Sequence, residues 1–183
     1  MKRTSITHPL QIAAIPAGPG LGQVGITLCP GKHDPYGISG YWDRDLNLDL
    51  DAIRSWEAAA VITLVTDQEL VRFRVPQLGK EVRRRGMEWF HLPITDGSTP
   101  DEGFEREWAI AGDKIRGLLL SGKNVLVHCR GGLGRAGTIG ARLLVEHGTD
   151  PANAIKRVRA VRRGAIETSA QEKYVLRMRP VMR

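Results

Sequence analysis

A short apolar run that breaks into a glycine-rich loop is the feature that most restricts how this chain can fold. The run that begins at Val125 leads to Gly131, Gly132 and Gly134, and an amphipathic segment covers 136–147. This order predicts a buried strand, a tight loop and a helix. The backbone N–H groups of such a loop can converge on one point, where the unpaired amides and the positive dipole of the following helix favour an anion.

Two side chains give this predicted anion site a chemical role. Cys129 stands at the start of the loop, where the same field would stabilise a thiolate nucleophile. Arg135 closes the loop, and its planar guanidinium can hold two phosphate oxygens as a pair. His128 is expected to be structural rather than catalytic. We predict a phosphate site formed by Arg130, Gly131, Gly132, Leu133, Gly134 and Arg135.

Strand and helix patterns alternate along the chain and predict a single α/β domain with a central, mainly parallel sheet flanked by helices. The expected strands cover 11–15, 60–65, 88–92 and the run from 125. The expected helices cover 49–59, 76–85, 136–147 and 168–178, and two more open at Thr99, with Pro100 in the first helical position, and at Asp150. The loop then lies at the carboxyl end of its strand, where open α/β sheets bind ligands.

The length of 183 residues fits one domain. Residues 1–25, rich in proline and glycine, are predicted to be an N-terminal arm, and 26–183 the catalytic domain. No apolar run is long enough to span a bilayer and no signal peptide is recognisable, so we expect a cytoplasmic protein without a membrane partner.

Only two cysteines are present, which argues against a disulfide framework. Two interpretations of Cys29 stay open. It is either an ordinary buried thiol at the end of a strand or a partner that protects oxidised Cys129 as a disulfide.

The charge balance of 27 basic against 20 acidic residues gives a net charge of +7, which favours anionic partners. Most basic residues of the C-terminal part lie among apolar residues at helical spacing, as on the wet face of an amphipathic helix. They are Lys156, Arg157, Arg159, Arg162 and Arg163. Aromatic residues are sparse and do not alternate with these charges, so we predict no nucleic-acid partner.

The loop and several other motifs resemble the protein tyrosine and dual-specificity phosphatase superfamily. The loop motif His-Cys-x-Gly-Gly-Leu-Gly-Arg is most similar to that of the cyclin-dependent-kinase-associated phosphatases and their bacterial relatives. The likeness extends over roughly 26–178, and it includes Cys29-Pro-Gly, the segment from Leu92 to Pro100 and the segment from Gly164 to Thr168.

The resemblance implies a reaction without metal or cofactor. Cys129 would attack phosphorus, Asp96 would protonate the leaving oxygen, and water would hydrolyse the phosphocysteine. From the residues alone, an aspartate on a loop after an apolar segment suits a general acid, although Asp96-Gly97 could also be a simple turn.

Two positions depart from the family pattern. Ala136 stands where most relatives have Ser or Thr, whose hydroxyl assists thiolate departure. Glu167 occupies a segment in which many relatives place a water-positioning glutamine. Gln171, one helical turn further, could face the same side or be an exposed helix glutamine.

The preferred hypothesis is a phosphatase for phosphotyrosine, and for phosphoserine or phosphothreonine, whose partner is a phosphorylated protein or peptide. An inositol-phosphate or nucleotide phosphatase of the same fold ranks lower, because the loop adds only the one charge of Arg130. An adaptor that binds phosphate with little turnover is the alternative from another class, and Ala136 and Glu167 make it conceivable.

Overall fold

The computed structural model describes residues 1–181. Its strands are β1 (Ala13–Pro16), β2 (Gln23–Leu28), β3 (His33–Gly37), β4 (Gly40–Asp43), β5 (Ala58–Thr63), β6 (Glu88–His91) and β7 (Asn124–Cys129). Five of them form the central sheet in the order β1-β2-β7-β5-β6. Only β1 is antiparallel to its neighbour, whereas β2, β7, β5 and β6 are parallel. The strands β3 and β4 form a separate hairpin.

Helices cover both faces of the sheet. They are α1 (Leu46–Ser55), α2 (Asp67–Arg72), α3 (Leu78–Arg84), α4 (Glu102–Leu120), α5 (Gly134–Glu146), α6 (Pro151–Val161) and α7 (Ser169–Leu176). Apolar side chains of α4, α5, α6 and α7 form one core with the sheet, and those of α1, α2 and α3 form a second core on the opposite face. The predicted fold class is confirmed.

The central strand β7 explains how the two cores arise from one run of residues. Val125 and Val127 point into the first core, and Leu126 points into the second. Successive side chains of a strand alternate between faces, so a strand buried on both faces reads as a continuous apolar run. Because β7 pairs with β2 on one side and β5 on the other, its carboxyl end lies in the middle of the sheet edge.

Several predicted element boundaries are wrong for local reasons. The helix expected over 49–59 begins earlier, after the N-cap Asp45, and ends before β5. The cap of α4 is Asp101 rather than Thr99, because the Asp101 carboxylate accepts the Phe104 N–H at 2.8 Å, and Pro100 therefore lies before the helix. The predicted opening of α6 at Asp150, with Pro151 in the first turn, is confirmed.

The short helix α2 and both strands of the β3–β4 hairpin were not predicted, and β2 was expected only as an unbounded strand that ends near Cys29. The strand β2 crosses the expected boundary between residues 25 and 26, and β1 pairs with it from Ala13↔Ile26 to Pro16↔Gln23. The first 25 residues therefore contribute to the central sheet. The last two residues of the expected domain 26–183 lie outside the described part of the chain.

Candidate active site

The strand β7 delivers Cys129 to the centre of the sheet edge. Leu28 of β2 is its partner in the parallel register, and Cys129 is 3% exposed. The next residues, 130–133, form the loop, and α5 begins at Gly134. The sulfur thus lies at the carboxyl end of the middle strand, as the sequence predicts for a ligand site of an open α/β sheet.

The loop backbone turns its carbonyl oxygens outward. Gly131 O and Gly132 O accept hydrogen bonds from Arg162, and Leu133 O accepts from the amide of Gly137 at 2.9 Å. Within residues 1–181, the amides of 131–135 donate to no protein acceptor. Free amides that converge from a loop and a first helical turn form an anion-binding nest.

Gly132 is the loop position at which the backbone demands glycine. Its φ of +68° lies in the left-handed region, and a Cβ atom there would stand 2.4 Å from the carbonyl carbon of Thr27. The loop can therefore lie directly against β2 only because this residue has no side chain.

Arg135 is buried beneath the loop and held from two sides. Its Nη1 and Nη2 atoms donate to the two carboxylate oxygens of Glu69 at 2.7 and 2.8 Å, and Nη1 also donates to Ile94 O at 2.9 Å. The Nε atom is buried without a hydrogen-bond partner in the described chain. A buried N–H without an acceptor is costly, and an oxygen of a bound anion would satisfy it.

Glu69 is the most informative site residue that sequence reasoning missed. It belongs to the capping box of α2, in which Thr66 and Glu69 cap each other's backbone N–H. Burial opposes ionisation of Glu69, but the hydrogen bonds from Arg135 and from the Thr66 backbone outweigh it and lower its pKa. Burial likewise opposes the charge of Arg135, but the hydrogen bond to Glu69 and the negative charges of Cys129, Glu69 and Asp96 more than compensate, so the pKa of Arg135 is raised. Glu69 and Arg135 therefore both stay ionised. In the sequence, the capping-box pattern of Thr66 and Glu69 is the signal that could have located α2.

Asp96 lies on the loop between β6 and α4. Its Oδ1 atom is 3.0 Å from Nη2 of Arg135, and its side chain is 57% exposed. Gly97 follows with a φ of +74°, so a turn is also present. The structure thus brings Asp96 to the cysteine-arginine loop, at the solvent side of the guanidinium.

His128 is a structural link inside the sheet. Its Nε2 atom is 2.7 Å from Thr63 Oγ1, which accepts the indole N–H of Trp89 at 2.8 Å. Burial lowers the pKa of His128 to about 3, so the imidazole is neutral at physiological pH.

The side chain of Arg130 is committed to the β3–β4 hairpin. Its Nε and Nη2 atoms bind the two carboxylate oxygens of Asp34 at 2.9 and 3.2 Å. Asp34 is buried. This ion pair fastens the hairpin to the loop and neutralises the charge of Arg130.

The structure separates the two candidate water-positioning residues. Gln171 is fully buried and caps α7, because its Oε1 atom accepts the amides of Glu167 and Thr168, and its Nε2 atom donates to Ser98 O at 3.3 Å. Glu167 is exposed and lines the cleft above Cys129. Of the two, Glu167 is the one that faces the open space.

A cleft of about 540 Å³ opens above the loop. Cys129 and Arg135 line its base, and Asp96 and Glu167 line its rim. The opposite wall comes from the N-terminal segment and the hairpin, and it includes Pro9, Leu10, Ile38 and Trp42. Residues assigned from sequence to an arm outside the domain thus form part of the cleft.

The arm and the hairpin are joined by backbone and side-chain contacts. The amide of Arg3 donates to Tyr41 O at 2.8 Å, and the amide of Asp43 donates to Arg3 O at 3.0 Å. Arg44 donates to His8 O at 2.9 Å. The hairpin therefore holds the N-terminal segment in place at the cleft.

Cys29 is buried directly after β2, and its burial raises the pKa of its thiol. Both cysteines are free thiols. In the part of the chain that the structure covers, no group of three or more His, Cys, Asp or Glu side chains is arranged to hold a metal ion. Likewise, no helix between residues 1 and 181 has the length and apolar character needed to cross a membrane.

Comparison with known proteins identifies the family of this chain. Residues 37–175 match the family described as Swiss Army Knife protein, DSP-PTPase phosphatase domain. The chain is 35% identical over 135 residues to the cyclin-dependent kinase inhibitor 3 of Rattus norvegicus, which covers 72% of this chain and 62% of the relative. It is 37% identical over 102 residues to the human protein tyrosine phosphatase type IVA 3, which covers 56% of this chain and 58% of that protein. The matches thus span less than two thirds of these relatives.

Solved structures agree. A kinase associated phosphatase, in which the catalytic-site cysteine is replaced by serine, superposes with a TM-score of 0.78 and 27% identity over 91% of this chain and 92% of that chain. Tk-PTP in its active form gives a TM-score of 0.66 and 30% identity over 89% and 93% of the two chains. The chain belongs to the dual-specificity and protein tyrosine phosphatase family. The resemblance stated from the sequence is confirmed.

Proposed function

We propose that this protein hydrolyses phosphotyrosine, and also phosphoserine or phosphothreonine, in protein or peptide substrates through a phosphocysteine intermediate. The observation that carries the proposal is the loop itself. Free amides surround Cys129, and the buried Nε of Arg135 has no acceptor within residues 1–181. Such a cradle fits the oxygens of a phosphoryl group that is transferred to sulfur.

In the first step the Cys129 thiolate attacks phosphorus, and the bond from phosphorus to the ester oxygen breaks. Asp96 gives its proton to that leaving oxygen, a role that suits its exposed position beside Arg135. The amides of the loop and the guanidinium hold the three other phosphoryl oxygens as charge develops on them.

In the second step a water molecule attacks phosphorus, and the bond from phosphorus to sulfur breaks. Asp96 takes the proton of the water, and the Cys129 thiolate is restored. Ala136 supplies no hydroxyl at this stage, and the nearby Thr138 hydroxyl donates to Gly134 O. We expect breakdown of the intermediate to be slow relative to its formation. In this proposal Glu167, which lines the cleft, orients the water.

The cleft favours a phosphopeptide over a polyphosphorylated small molecule. Its wall of Pro9, Leu10, Ile38 and Trp42 can contact an aromatic ring. Arg130, the one extra cation within the loop, is neutralised by Asp34, but Lys32, Arg162 and Arg163 also line the cleft. An inositol-phosphate or nucleotide substrate is therefore the second candidate, ranked below a phosphopeptide because of the apolar wall.

The direct test is hydrolysis of p-nitrophenyl phosphate and of phosphopeptides. Cys129→Ser should abolish activity, Asp96→Asn should slow it by about 100-fold, and chelators should have no effect. Turnover by the serine variant would contradict the mechanism. Tight phosphopeptide binding by the unmodified protein without phosphate release would support the adaptor instead.

The wall can be tested without disturbing the fold. Ile38 lies at the hairpin tip and is 102% exposed, so Ile38→Ser should leave the melting temperature unchanged. We expect KM for a phosphotyrosine peptide to rise about 3- to 10-fold, since an isoleucine side chain contributes up to about 1.5 kcal/mol when covered. Ile110→Ser, which changes an exposed apolar residue of α4, is the matched control. An equal effect of both variants would refute the role of the wall.

A further inference from the structure

Three carbonyl groups on the outer side of the loop are held by two cations. Lys32 Nζ donates to Arg130 O at 2.9 Å. Arg162 donates from Nε to Gly132 O and from Nη2 to Gly131 O, both at 2.9 Å. Lys32 comes from the segment before β3, and Arg162 follows the end of α6. Two distant parts of the chain thus meet at one loop.

These contacts determine where the loop amides point. In a trans peptide unit the C=O of one residue and the N–H of the next are fixed in opposite directions. A carbonyl of Arg130 that is held outward therefore turns the N–H of Gly131 inward. In the same way, the two contacts of Arg162 turn the N–H groups of Gly132 and Leu133 toward the anion site.

Neither cation is neutralised by a carboxylate. Within residues 1–181, Lys32 and Arg162 form no ion pair, in contrast to Arg130 and Arg135. Lys32 is only 3% exposed, with its Nζ 5.3 Å from the centre of the Trp42 ring. Burial lowers the pKa of both cations; the negative charges that oppose this effect are Cys29, Asp34 and Cys129 for Lys32, and Cys129 for Arg162. Two buried or half-buried cations without an ion-pair contact add positive potential where an anion would bind.

We propose that Arg162 and Lys32 are positioning residues that orient the amides of the phosphate loop and strengthen its hold on the thiolate and the phosphoryl oxygens. They act on the reaction only through the loop backbone. The proposal rests on the proposed function, because it concerns the same site. It corrects the expectation that Arg162 lies on the solvated face of a helix, since α6 ends at Val161.

The test uses Arg162→Met, Arg162→Lys and Lys32→Met, with Lys156→Met as the matched control. Lys156 lies on α6 and is exposed, it makes no side-chain hydrogen bond or ion pair in the described chain, and it lies outside the cleft. We expect kcat/KM for p-nitrophenyl phosphate to fall about 10- to 100-fold for Arg162→Met and about 10-fold for Lys32→Met, since one misdirected oxyanion donor costs about 100-fold or more. Arg162→Lys should recover only part of the loss, because an ammonium cannot bridge two carbonyls as a planar fork does.

Two further measurements separate this role from general stability. The affinity for inorganic phosphate and the rate at which iodoacetate alkylates Cys129 at fixed pH should fall with kcat/KM, while the melting temperatures of Arg162→Lys and Lys156→Met stay near that of the unmodified protein. A similar loss in Lys156→Met would show that distant charge alone is responsible and would overturn the proposal. So would unchanged phosphate affinity in Arg162→Lys and Lys32→Met. Residual turnover in these variants, against none in Cys129→Ser, distinguishes failure of this inference from failure of the proposed function.

Discussion

Replacement of Gly132 by alanine tests the loop geometry most severely. The new Cβ would lie 2.4 Å from the Thr27 carbonyl carbon and 2.5 Å from its oxygen, whereas ordinary contact begins at 3.4 Å. The two contact atoms belong to the backbone of β2, which cannot rotate away as a side chain would. The loop must therefore move by about 1 Å away from β2. A misplacement of about 1 Å near a reacting centre can lower the rate about 100-fold. That loss corresponds to about 2.7 kcal/mol of transition-state stabilisation.

The left-handed conformation adds a second cost that can be measured separately. Gly20 has a φ of +73°, close to the +68° of Gly132, but no atom lies within 4 Å of the point that a Cβ atom would occupy there. Gly20→Ala should therefore cost about 1 kcal/mol of stability from backbone strain alone and leave kcat/KM unchanged. Gly132→Ala should lose more stability and about 100-fold in kcat/KM. Denaturant unfolding measures the loss of stability, and p-nitrophenyl phosphate hydrolysis measures kcat/KM. If Gly132→Ala retained kcat/KM within about threefold, the argument from close approach would be refuted.

Two buried pairs give further predictions. Glu69→Gln should lower stability by about 3 kcal/mol at pH 7, since Arg135 loses its buried partner. The pKa of Glu69 is lowered in the folded state, so the stabilisation is complete above the unfolded value of about 4.3, and unfolding curves should converge as the pH falls below it. Thr63→Val should cost about 1 to 3 kcal/mol, because it leaves nitrogens of His128 and Trp89 unpaired. With a pKa of about 3, His128 is neutral in the folded protein at both pH 5 and pH 8, so Thr63→Val should lose the same free energy of unfolding at the two pH values. A marked difference between them would contradict a neutral His128.

The centre of the site could be predicted from sequence because its parts are contiguous. The apolar strand, the loop glycines and the helix follow one another along the chain, so Cys129 and Arg135 are placed by local geometry. From the residues alone, a general acid and a simple turn explain Asp96-Gly97 equally well, and only the family resemblance favoured the general acid.

The supports of the site could not be predicted, because they come from distant segments. Glu69 is separated from Arg135 by 66 positions in the sequence, and Arg162 is separated from Gly132 of the loop by 30. The helical spacing of basic residues continues past Val161, so the pattern gave no sign that α6 ends there and releases Arg162. The N-terminal segment looked like an arm because its contacts with Tyr41 and Trp42 are made across the fold and leave no local signature.

The assembly of the anion site from residues near positions 32, 69, 96, 130 and 162 has a thermodynamic consequence. None of these segments can bind an oxyanion alone, so a ligand such as inorganic phosphate binds the native state and not the unfolded chain. Such a ligand raises the free energy of unfolding by about 2.7 kcal/mol at 100 times its dissociation constant. A thermal-shift titration with phosphate therefore reports whether all five segments have docked, even in variants that have no turnover.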